Sequence, residues 1–126
     1  MTPVFFVDRS LGKHVIAEAL RAAGVQVEVH DDHFPQNALD ETWLPAVGRK
    51  GWAVLTSDDR IRYRHAEISA ASTARVALFI FTGKRMRGTA IADALVRALP
   101  AMMELLASQR RPFVAKVSRA GAVTVL

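Results

Sequence analysis

Three acidic points stand far apart in the chain in positions where folding could join them. Asp8 closes the apolar run Val4-Phe5-Phe6-Val7, Asp40-Glu41 follows a polar loop, and Asp58-Asp59 follows the run Trp52–Thr56. Carboxylates crowded within ~4–6 Å raise one another's pKa values, and a hard cation relieves that repulsion. Oxygen-only ligands suit Mg²⁺ or Mn²⁺. Each acid also has a plainer explanation. Asp40 is a good helix opener, and Asp58-Asp59 after Thr56-Ser57 reads as a turn. Asp8 resists that treatment, because the residues before it are apolar and poorly hydrated. Taken together the three favour a metal centre, with Asp8, Asp40, Glu41 and Asp58 as catalytic candidates. The candidate metal ligands are Asp8, Asp40, Asp58 and Asp59.

Cations gather beside these acids. Arg9 adjoins Asp8, while Arg60, Arg62 and Arg64 follow Asp58-Asp59, and their alternation predicts one shared side of a short extended or turn segment. Lys84, Arg85 and Arg87 follow the run Val76–Phe81. Metal-holding acids ringed by cations suit a phosphodiester, whose charge both groups stabilise. Arg9, Arg60, Arg62, Lys84 and Arg85 are therefore the candidate RNA-binding residues. Arg110-Arg111 reads as a favourable charge at a helix C-terminus. The formal net charge of +5 and pI of about 10.4 agree with a polyanionic partner.

Other chemistries lose support. With no cysteine there is neither a disulfide nor a thiolate zinc site. His30 and His33 flank Asp31-Asp32 but lack paired-ligand spacing, so the segment reads as a solvated or substrate-facing loop. No GxGxxG, GxxxxGK[ST] or GxSxG occurs, so nucleotide-cofactor and serine-hydrolase readings lose support. Nothing approaches the ~18 uncharged residues of a membrane helix. A cytoplasmic protein without a membrane partner is expected.

The elements that must position the acids follow from periodicity. Val4–Val7 reads as a buried strand. Leu11, Val15, Ala19, Leu20 and Ala23 fall at helical spacing, with Ser10 as the cap and Gly24 as the stop. Val25, Val27 and Val29 alternate as a second strand. Leu39, Trp43, Leu44 and Val47 form a helical face that Gly51 closes. Trp52–Thr56 is a third strand, Arg64–Arg75 a helix and Val76–Phe81 a fourth strand. Alternating strands and helices predict a parallel sheet covered on both faces. Asp8 and Asp58 then share its carboxyl rim, where open α/β folds bind ligands, and the helix opened by Asp40 starts near it. Ile91, Leu95, Leu99, Met102 and Leu106 line a long helix that Pro100 should kink or split. Phe113–Val117 and Val123–Val125, around Arg119-Ala120-Gly121, form a hairpin.

FFVDRSLG, LDETWL and WAVLTSDDRIRYR, in that order, resemble the PIN-like nuclease domains, including toxins of the VapC type. The likeness covers about residues 3–82. It is nearest to the branch in which Asp-Glu precedes a helix and Thr-x-Asp follows the next strand. The resemblance implies a three-layer α/β/α PIN-like fold with a mostly parallel sheet, here followed by a C-terminal helix and β-hairpin. One domain over residues 1–126 is expected, with its core at 3–82 and the helix and hairpin at 87–126. The implied activity is that of a Mg²⁺- or Mn²⁺-dependent endoribonuclease, the toxin of a toxin–antitoxin pair. Its implied partners are an RNA substrate and an antitoxin protein, and a homodimer is compatible. The chain departs from many PIN nucleases at Thr82-Gly83-Lys84, where they carry a further acid, and Asp59 is the candidate substitute. The departure keeps open a catalytically degenerate module that binds RNA or protein. A response-regulator-like phosphoacceptor at Asp58 fits less well, since its acids would be distributed differently.

Overall fold

The structure is a computed structural model that describes residues 2–64 and 75–126. Four parallel strands, rich in β-branched and aromatic residues, form its first part: β1 (Val4–Val7), β2 (Gln26–Val29), β3 (Ala53–Thr56) and β4 (Ala77–Phe81). β5 (Phe113–Val117) adds a fifth parallel strand, and β6 (Val123–Val125) pairs antiparallel with it. The six strands run in the order β2-β1-β3-β4-β5-β6. The helices are α1 (Val15–Ala22), α2 (Asp40–Arg49) and α3 (Gly88–Ser108). Among the described residues no helix is long and apolar enough to cross a membrane.

Strand alternation sorts the apolar side chains into two cores. Phe5, Val7, Leu55, Phe79 and Phe113 face one side and pack with Ile16 and Leu20 of α1 and Leu95 and Met102 of α3. Phe6, Val54, Leu78 and Ile80 face the other and pack with Trp43, Leu44 and Val47 of α2. The result is the three-layer α/β/α arrangement expected, with the C-terminal helix and hairpin. Phe6 anchors the second core, its ring centroid 5.4 Å from Trp43 and 6.1 Å from Trp52.

Several local expectations need correction. Leu11 lies in a short 3-10 turn, Arg9–Leu11, and α1 begins only at Val15, with His14 at its cap position. Ser10 therefore caps nothing and is free for other bonds. Pro100 does not split α3, which runs unbroken through it. Pro100 itself is exposed, on the solvent side of the helix. Except for Arg64 and Arg75, the helix expected over Arg64–Arg75 lies outside the described residues.

Candidate functional site

Parallel pairing puts the ends of β1 and β3 side by side, since Val7 pairs with Leu55 in the register. One residue further on, Asp8 leaves the sheet with its backbone N–H still donating to Leu55 O at 2.9 Å. The side chain turns inward, and the residue is only 5% exposed. A carboxylate this dry needs donors, and two hydroxyls supply them to the same oxygen. Thr56 Oγ1 donates to Asp8 Oδ2 at 2.8 Å and Ser10 Oγ at 2.9 Å. The two hydroxyl oxygens are 3.1 Å apart. Each hydroxyl has one proton, so with both protons on Asp8 this contact adds no further full hydrogen bond. Their lone pairs accept backbone donors: Ser57 N–H bonds Ser10 Oγ and Asp58 N–H bonds Thr56 Oγ1, each at 3.0 Å. Ser57 Oγ also donates to Ser10 O at 3.3 Å.

Asp8 and Asp58 are thus joined through the buried Thr56. Asp8 Oδ1 takes no hydrogen bond from the described residues, which leaves one oxygen of a fixed carboxylate for a ligand. Asp58 has a different environment. Its Oδ1 accepts from the backbone N–H and Nε of Arg60, both at 3.1 Å, and Oδ2 lies 3.4 Å from Arg60 Nη2. The Arg60 side-chain hydrogen bond is the main cause holding the Asp58 carboxyl below its ordinary pKa. Burial opposes it, while the Arg60 backbone N–H and the charges of Arg60 and Arg9 add to it.

Asp40 and Asp58 line one open cavity of about 250 Å³, together with Arg60 and Arg64. Asp40 Oδ1 accepts the Trp43 Nε1–H at 3.0 Å, within the first turn of α2. Glu41 lies 4.0 Å from Arg64 Nε. Asp59 lies elsewhere, beside a cavity of about 160 Å³ that Thr82, Lys84 and Lys116 also line. Arg9 is exposed, with Nη1 3.4 Å from Ala38 O. Arg85 is exposed too, with a φ of 55°.

The expected alternation of Arg60, Arg62 and Arg64 does not hold. Ile61–Arg64 is a helical turn with Ile61 buried, so positions four apart share a side. Arg60 and Arg64 reach the acidic cavity, whereas Arg62 does not line it. The Arg62 guanidinium lies over the Tyr63 ring, 4.9 Å from its centroid, and donates to Tyr63 Oη at 2.9 Å.

The donor set decides which metal arrangement these residues suit. Among the described residues no three acidic or histidine side chains stand together as a cage for one ion. Mg²⁺ commonly takes only one or two carboxylates, keeps several waters and adds substrate phosphates. The unpartnered Asp8 Oδ1 suits that sparser mode, whereas both Asp58 oxygens are bonded by Arg60. Ser10 and Thr56 orient Asp8, a role that sequence reasoning gave to neither. The Thr-x-Asp spacing was the available signal for Thr56. Nothing comparable marked Ser10.

A mostly parallel α/β/α sheet with acids at its carboxyl rim is the architecture of a PIN-like domain. The chain belongs to the PIN like domain family, whose family model matches residues 3–83. No curated protein and no solved structure matches the chain.

Proposed function

We propose that this PIN-like domain is a divalent-metal-dependent endoribonuclease. The observation that carries the reading is the linkage of Asp8 to Asp58 through Thr56 at the ends of adjacent parallel strands. Asp8 and Asp58 would hold Mg²⁺ or Mn²⁺, with Asp40 across the cavity and Glu41 beside it. The ion, when bound, supplies positive charge to water and phosphate. Thr56 and Ser10 keep Asp8 in one orientation, so its free oxygen needs little reorganisation to accept a ligand. Arg60 neutralises Asp58 in the absence of substrate and is placed to turn toward a phosphate. Arg9, Lys84 and Arg85 add positive charge along the rim for the RNA backbone.

The test is cleavage of labelled RNA by purified protein with Mg²⁺, with Mn²⁺ and with chelator, beside Asp8→Asn. Metal-dependent cleavage absent from Asp8→Asn supports the reading. Equal cleavage by both chains, or by the chelated protein, sinks it.

A second reading, a degenerate module that binds without cutting, rests on the Arg60 guanidinium occupying both Asp58 oxygens and on Lys84 standing where many PIN nucleases have an acid. We further propose a toxin role, in which a small antitoxin protein inserts an arginine against Asp8 or Asp58. Expression alone should then slow growth, co-expression of the antitoxin should rescue it, and Asp8→Asn should be harmless. Full toxicity from Asp8→Asn would separate toxicity from cleavage.

A further inference from the structure

The opposite rim of the sheet carries a row of cations that the acidic site does not use. Arg49-Lys50 precede β3, Arg75 precedes β4 and Arg110-Arg111 precede β5. These three strands are consecutive neighbours and parallel. With strands ~4.8 Å apart, topology gathers the five cations along one short edge. The contacts trace the same line. Arg75 Nη1 lies 3.5 Å from Arg111 O, and Arg111 Nη1 donates to Gly51 O at 2.9 Å. Lys50 Nζ sits 5.1 Å from the Trp52 ring centroid. Lys50, Trp52 and Arg111 also line an open cavity of about 370 Å³.

None of the five forms an ion pair among the described residues. Arg111 is partly buried, and that burial alone lowers its pKa. Helix-end electrostatics account for only part of the row. Arg49 occupies the last turn of α2, but the last turn of α3 has no basic residue, and Arg110-Arg111 lie beyond its cap, Gln109. The macrodipole effect fades within a helix's last turn.

We infer that this amino rim is a second binding surface, specific for the phosphate backbone of single-stranded nucleic acid. Four of the five cations are arginines, whose planar forks match phosphate oxygens. Arg49, Lys50, Arg75 and Arg110 are exposed, and a line of exposed cations is complementary to a strand of phosphates. The surface needs no metal and goes beyond the proposed cleavage. Strands of four or five residues put it roughly 15 Å from the acidic rim.

The experiment measures binding of a labelled oligouridylate to the full chain in chelator, as a function of salt. The proteins are wild type and the triple variant Arg49→Gln/Lys50→Gln/Arg110→Gln. The triple variant should bind at least ~10-fold more weakly at low salt, and its log–log salt slope should fall by about 2, roughly 0.7 per lost contact. A triple variant with the wild-type slope overturns the proposal, as does one whose only change is a lower melting temperature. If the triple variant does not fold, Lys50→Gln and Arg110→Gln are measured singly, and a slope unchanged in both overturns it. Preference for phosphatidylserine vesicles over the oligonucleotide, lost in the same variants, also overturns it. No cleavage is read, so a chain that binds this way without cutting sinks only the nuclease reading.

Discussion

The two rims of this sheet contain similar residue types arranged in opposite ways. At the carboxyl rim the charged groups hold one another: two hydroxyls grip Asp8, Thr56 ties it to Asp58, and Arg60 covers Asp58. At the amino rim the guanidinium contacts are with backbone carbonyls, and among the described residues no ion pair holds them. The first arrangement fixes atoms, as bond-making chemistry requires. The second offers charge without a fixed geometry, which suffices for a polyanion held through phosphates. Parallel topology produces both rims, but only a side-chain network turns a charged rim into a positioned one.

The comparison breaks first at Asp8. Asp8→Asn should keep the fold and lower any nuclease rate at least ~100-fold, since even outer partners of metal ligands typically contribute 10–100-fold. Cleavage within a few-fold of wild type would show that the carboxyl rim, too, is only a charged edge. Thr56→Val is next. It removes a donor from a nearly dry carboxylate and an acceptor from the Asp58 N–H, so ~1–3 kcal/mol of stability should be lost. Activity should fall roughly 10–100-fold, as for an outer partner of a ligand. Thr56→Ser restores the hydroxyl and should recover most of both. Equal damage from Val and Ser, followed by denaturation and cleavage kinetics, would mean that the methyl matters and the network does not.

The carboxyl-rim acids were legible because strand periodicity and the crossover rule fix where a strand ends. Val4–Val7 and Ala77–Phe81 are apolar throughout, as strands buried on both faces must be, and each gave its position directly. The hydroxyl network was not legible. Ser10 looks like a helix cap, and only the 3-10 turn at Arg9–Leu11 aims it at Asp8. Arg62 was misplaced for a related reason. Period two and the first turn of a helix both fit Arg60, Arg62 and Arg64, and the deciding signal was Ile61, an apolar residue that must be buried. The amino-rim row stayed hidden because its five residues come from three separate segments, aligned only once the order of β3, β4 and β5 is known.

Arg60 sharpens the contrast through pH. Its side chain is the principal cause of the low Asp58 pKa. A depressed carboxyl stabilises the fold above its unfolded value of about 3.9, and that contribution is lost as pH falls through the lower folded value. In Arg60→Ala the folded value should climb back toward about 3.9, so this contribution to stability, and with it the acid-side loss, should shrink. The Asp58 carboxyl-carbon shift, followed by NMR titration, reads this directly. The same variant should bind Mn²⁺ more tightly, by up to about tenfold, because Asp58 is no longer shared. An unmoved midpoint would show that Arg60 does not hold Asp58 in solution.

The smallest effect separates arginines two residues apart. Arg60 lines the acidic cavity and Lys84 stands at the end of β4, whereas Arg62 is committed to the ring and hydroxyl of Tyr63. Exposed cations that meet phosphates release counterions. Arg60→Ala and Lys84→Ala should therefore each reduce the salt slope of single-stranded RNA binding by roughly 0.7. Arg62→Ala should leave that slope where it is, because its side chain is only 32% exposed, against 90% for Arg60, and does not line the cavity. Calling all three a single basic cluster predicts three equal losses. The helical turn at Ile61–Arg64 predicts two losses and one null, and the slopes, measured by anisotropy in chelator, choose between them. An Arg62→Ala slope lowered as much as that of Arg60→Ala would mean that Arg62 leaves Tyr63 when RNA arrives, and that the turn does not divide these cations by function.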